Sequence, residues 1–130
     1  MSRFEKFALQ CAVAAGCLVP IGAGAGGVLL GPSLIGAAAG APDFDSHFRY
    51  LSGLLLAIGL GFASTIPRIE AHSRRFGLLT IIVVTGGLGR LVSVAVLGSP
   101  SSAMMAALTM ELLITPALAA WQRRVANARG

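Results

Sequence analysis

The chain has 130 residues, 55% hydrophobic and 12% charged, with a formal net charge of +5 and a mean hydropathy of +0.82. Soluble domains hold about 25% charged residues, and a domain this small has too much surface to cover with so few polar side chains, so the composition argues against a water-soluble globule. The basic residues form short clusters between apolar runs rather than a stripe on one face, which argues against a nucleic-acid binder.

A membrane-spanning helix needs about 20 mostly apolar residues, and four runs approach that length. The first, residues 7–30, follows Arg3 and Lys6 and contains the two cysteines, Cys11 and Cys17. On a helix these lie about 9 Å apart along the axis and on different faces, too far to bridge within one helix. They read as small apolar packing residues. Gly22, Gly24 and Gly27 match G-x-G-x-x-G only formally, because the dinucleotide fingerprint needs a preceding strand, a helix that starts at the glycines and a later acidic residue. Spaced as Gly22-x-x-x-Gly26 and Gly27-x-x-x-Gly31, they instead predict close helix approach, and Pro20 predicts a kink. A basic start, an apolar run and the small stretch Ala37 to Ala41 also follow the order of a cleaved signal peptide. The apolar run of about 24 residues is too long for that, against a usual 7 to 15. No Cys/His spacing suits a metal, and no cofactor is expected.

The first connection, residues 31–45, has no basic residue and carries Asp43 and Asp45. The second run is residues 48–66. Ser46 reads as its N-cap, with Asp45 beside it at the positive end of the helix dipole. Gly53, Ala57 and Gly61 offer a small face, and Pro67 ends the run. Arg68, His72, Arg74 and Arg75 then precede the third run, residues 76–97, whose small face is Gly86, Gly89 and Ser93. The uncharged stretch Gly98 to Ser102, with Pro100, leads to the fourth run, residues 103–121. Trp121 closes that run as an interfacial anchor, and Arg123, Arg124 and Arg129 follow. Basic residues thus cluster on alternate sides. The positive-inside rule predicts an all-α protein, a four-transmembrane-helix up-down bundle forming one integral membrane domain, with both termini cytoplasmic.

Three charges fall where lipid should be. Counted from the outer ends of their helices, Arg49 is about 5 Å deep, Arg90 about 11 Å and Glu111 about 15 Å. Even on the lenient insertion scale a charge at the bilayer centre costs about 2.5–3.5 kcal/mol, so such groups face the bundle interior and pair. Gly86, Gly87 and Ser93 flank Arg90, while Ala107, Leu108 and Thr115 flank Glu111. The depths differ by about 4 Å, within the reach of a guanidinium side chain, and the short connection makes the third and fourth helices antiparallel neighbours. An Arg90–Glu111 ion pair is predicted. Asp45 and Arg49 sit four residues apart and can pair locally. His47 and Tyr50 occupy an adjoining face. His72 reads as a solvated loop residue.

The candidate ligand-binding residues are therefore Asp45, His47, Arg49, Tyr50, Arg90 and Glu111. In a catalytic reading, Glu111 is the general acid or base and Arg90 stabilises developing negative charge. If Asp45 reaches Arg49, the cluster is neutral and can serve as a structural lock. If it does not, one arginine is left for an anionic or strongly polar ligand.

Asp45-Ser46-His47-Phe48-Arg49-Tyr50 with Ser52-Gly53, then Gly86-Gly87-Leu88-Gly89-Arg90, then Glu111 with Pro116, resemble a family of small bacterial four-helix membrane proteins catalogued as a domain of unknown function. The resemblance covers nearly the whole chain, and Gly-Leu-Gly-Arg is its most specific part. It implies the four-helix fold and a bacterial inner-membrane location, and it implies no activity. In architecture alone the chain is also similar to the DoxX-like proteins and to the sterol isomerase and sigma-2-receptor-like superfamily, with no motif specific to either. Three functions are expected, in this order. The first is binding of a lipid, quinone or other amphipathic ligand, or service as an accessory subunit of a larger membrane complex. The second is a small membrane enzyme, an isomerase or a redox-associated protein. The third is a transporter working as a homo-oligomer, since four helices give a narrow pathway and none of the runs is clearly broken.

Overall fold

A computed structural model describes residues 3–38 and 40–129, the side chain of Arg129 excepted. Every regular element among them is helical. α1 is Arg3–Leu30, α2 Pro42–Ala63, α3 Ser73–Leu97, α4 Ser102–Thr109 and α5 Thr115–Arg129. Turns of 3₁₀ helix at Gly31–Ile35 and Ile66–Ala71 follow α1 and α2, and a π-helical turn, Met110–Ile114, joins α4 to α5.

Among the described residues, three stretches are long and apolar enough to cross a membrane: Arg3–Ile35, Ser73–Leu97 and Ser102–Ala128. Only 22%, 11% and 6% of their apolar windows are buried within the protein, so most of these apolar residues keep some exposure, which suits a membrane environment. α2 has 22 residues, about 33 Å of helix. It falls outside this group because Asp43, Asp45, His47 and Arg49 occupy its first turns.

α2 begins earlier than expected. Pro42 sits at its first position, where a fixed φ and a missing N–H cost nothing, and Ala41 rather than Ser46 precedes the helix. Asp43 and Asp45 then lie in the first turn, beside the positive end of the dipole. The helix also stops sooner, at Ala63 rather than residue 66. A residue before proline avoids the α conformation. The chain tightens ahead of Pro67, with the Thr65 hydroxyl donating to the Phe62 carbonyl at 2.7 Å. α1 continues through Pro20 as one helix.

The chain divides into two compact units. One is residues 11–66, in which α1 and α2 form an antiparallel pair. A Cβ on Gly24 would lie 2.5 Å from the Leu56 nitrogen, one on Gly27 would overlap Ser52, and one on Gly59 would lie 2.7 Å from Ile21. The seam therefore runs through Gly24, Gly27, Ser52 and Gly59. The spacing of small residues had pointed to Gly22, Gly26, Gly27 and Gly31 in the first run and to Gly53, Ala57 and Gly61 in the second; Gly27 does lie in the seam, whereas a Cβ on Gly22 would meet nothing within 4 Å. Moving one residue along a helix turns its face by about 100°, enough to select the wrong stripe.

The second unit comprises the chain up to Gln10 and from Pro67 on. Here α3 lies antiparallel to α4 and α5, as the short connection predicted. Gly87 is pressed against Glu111 and Leu112, with a built Cβ 2.9 Å from each, whereas Gly86 and Gly89 face open space. At the other end Gln122, 1% exposed, donates from Nε2 to the Ile69 carbonyl at 2.7 Å and to Ser73 Oγ at 2.9 Å. Lys6–Glu70 at 3.0 Å and Arg124–Glu5 at 3.2 Å tie down the start of α1. Leu9, Ile69, Phe76 and Val125 are fully buried here.

Candidate functional site

The last carbonyls of a helix have no intrahelical partner and carry partial negative charge. At the end of α1 they are met by Arg49, whose Nη1 donates to the Val28 carbonyl at 2.7 Å and to that of Leu29 at 3.3 Å. Its Nε and Nη2 form a fork onto Asp45, at 2.8 and 3.3 Å. Gly31, with φ +65°, backs this clasp: a Cβ there would lie 2.6 Å from Arg49 Nη2 and 2.9 Å from Asp45 Oδ1. All three nitrogens of Arg49 are thus engaged in holding α1 to α2. A cleft of about 190 Å³ adjoins the clasp, lined among others by Leu30, Pro32, Ser33 and Ala37. His47 and Tyr50 are exposed, with no hydrogen bond to another described residue. At 100° per residue they project from the opposite side of α2 to Asp45 and Arg49.

The second pair lies in the other unit. Arg90 donates from Nε to Glu111 Oε2 and from Nη2 to Oε1, both at 3.0 Å, in a two-pronged ion pair. Its remaining nitrogen, Nη1, donates to Met104 Sδ at 3.1 Å. The Arg90 side chain keeps 33% of its exposure and Glu111 keeps 18%. Gly87 allows α3 to approach Glu111 this closely.

Glu111 also stands inside the π-helical turn. Pro116 explains that turn. It lacks an N–H, and its ring would collide with the carbonyl four residues back, that of Leu112. The backbone widens instead, so that the Thr115 N–H and its Oγ1, at 2.7 Å, both reach the Met110 carbonyl. Such turns recur at functional sites. The fourth apolar run, expected to be an unbroken helix, is therefore interrupted at its acidic residue.

Of the six candidate residues, the structure joins four into two pairs, Asp45 with Arg49 and Arg90 with Glu111. Both intramembrane arginines of the sequence reading have a carboxylate, so neither stands as an unpaired cation. Met104 was missed, although it precedes Glu111 by seven residues, two turns on the same face. The π turn was signalled only by Pro116. The buried Gln122 had no sequence signal, since an amide near a run of arginines reads as solvated.

A protein-family model described as Domain of unknown function (DUF4345) matches residues 8–122, and the chain belongs to that family. No curated protein and no solved structure matches it.

Proposed function

We propose that this DUF4345 member is a bacterial inner-membrane protein with four spans and cytoplasmic termini that binds the polar head of an amphipathic ligand at Arg90 and Glu111. Two features favour α2 as the fourth span: its length suffices, and its one deep charge, Arg49, is neutralised by Asp45. The placement of arginine and lysine then puts the Arg90–Glu111 pair in the outer half of the bilayer.

The observation that carries the binding role is the Arg90 Nη1 bond to Met104. A thioether is a weak acceptor on a flexible chain. A carbonyl oxygen is a far better one, and in a low dielectric the difference grows. Met104 can swing aside for such a group, and Arg90 is exposed enough to be reached. Because Glu111 already balances Arg90, the site suits a neutral head, such as a quinone carbonyl or a neutral lipid ester, better than a full anion. Both Glu111 oxygens accept from Arg90, which favours binding over a general-base role for this carboxylate. An accessory subunit that holds such a ligand for a larger complex fits the same geometry.

Native mass spectrometry of protein purified in mild detergent tests this. The wild type should retain an apolar molecule with a carbonyl head. Arg90→Lys keeps the charge opposite Glu111 but loses the fork that reaches a third acceptor, so retention should fall at least tenfold while the protein stays folded. A wild type that carries no such molecule, or a lysine variant that retains it fully, would sink the proposal.

A further inference from the structure

A groove of about 510 Å³ runs between α3 and α5 at the basic end of the second unit. Its walls include Gly77, Ile81, Pro116 and Ala120, and Arg74 and Arg123 stand at one end. Among the described residues, no acidic side chain lines it. Neighbouring charges are already paired, Lys6 with Glu70 and Arg124 with Glu5. Arg74 and Arg123 make no hydrogen bond or ion pair to any described residue. The Arg123 guanidinium lies over the groove floor, 3.9 Å from where a Cβ on Gly77 would be. Leu78 and Ile81, which line the groove, are 60% and 65% exposed, so its apolar wall opens onto the outward face of α3.

We infer that this groove holds one acidic phospholipid, its phosphate between Arg74 and Arg123 and part of an acyl chain along Gly77, Ile81 and Ala120. Two guanidinium groups at one end of an apolar channel complement an anionic head with a tail attached. A free phosphate would leave the channel unfilled. Along α3 from Arg90, the phosphate end of the site at Arg74 is about 24 Å away and its apolar end at Ile81 about 14 Å, and the site depends neither on Arg90 nor on the orientation of the protein.

The test is native mass spectrometry of the full chain in detergent, titrated with phosphatidylglycerol or with phosphatidylcholine. The wild type should retain one phosphatidylglycerol and release phosphatidylcholine readily. Arg74→Gln with Arg123→Gln should weaken retention about tenfold or more, at about 1 kcal/mol for each arginine. Gly77→Leu should weaken it comparably by filling the groove with the charges intact. Arg3→Gln with Arg68→Gln removes as much charge outside the groove and should change little. Arg90→Lys should also leave it unchanged, which separates this site from the one proposed above. Equal retention of both lipids, an equal loss in the Arg3/Arg68 control, or displacement by millimolar inorganic phosphate would each overturn the inference. So would a lipid-free dimer that Gly77→Leu dissociates, because a second copy would then occupy the groove.

Discussion

Arg49 gives its three nitrogens to Asp45 and to the carbonyls of Val28 and Leu29, whereas Arg90 gives two to Glu111 and the third to Met104 Sδ. The first set ends on oxygen acceptors alone, and the second ends on a poor acceptor. Two variants separate the roles of these contacts. Glu111→Gln removes the charge opposite Arg90 and should destabilise the protein in detergent by about 1–3 kcal/mol, less than a fully buried pair because Arg90 stays partly exposed. Met104→Leu removes only the thioether and should shift stability by under about 0.5 kcal/mol, with ligand retention equal or higher. Thermal melts and ligand retention read both, and a Met104→Leu variant as unstable as Glu111→Gln would make Met104 a structural partner rather than a placeholder. The pairs themselves were legible because charge in an apolar run must find a partner. The use of the third nitrogen was not, since it depends on side-chain directions that spacing does not fix.

Among the elements, long apolar runs announced the helices, and Pro67 and Pro100 announced the breaks. The start of α2 was misread because Ser46 and Asp45 form a plausible cap, while Pro42 at the first position decides the matter. The α1–α2 seam was read in part: Gly27 and Gly31 were among the expected contacts and Gly24, Ser52 and Gly59 were not, since several stripes of small residues compete and only packing chooses among them. The π turn has a single local cause in Pro116. Pro116→Ala restores the N–H and removes the ring, so Met110–Ile114 can close into α-helix. The melting temperature should then be unchanged or higher. Ligand retention should fall at least fivefold, because Glu111 rotates away from its place opposite Arg90. Full retention in a more stable variant would show that the π turn is incidental to the site.

For the whole molecule, composition identified lipid as the solvent, and the outward-facing apolar surface of three helices agrees with that reading. α2 is where composition and structure speak least plainly, since its first turns carry four ionisable groups, Asp43, Asp45, His47 and Arg49. The proposed outer-half placement of Arg90 and Glu111 rests on α2 crossing the bilayer, with Arg68, Arg74 and Arg75 inside. Thiol labelling in intact cells with a membrane-impermeant maleimide, in a Cys11→Ala and Cys17→Ala background, tests this directly. Ala38→Cys should be labelled and His72→Cys should stay protected until the membrane is opened. Equal reaction at the two positions, or the reverse pattern, would contradict the account.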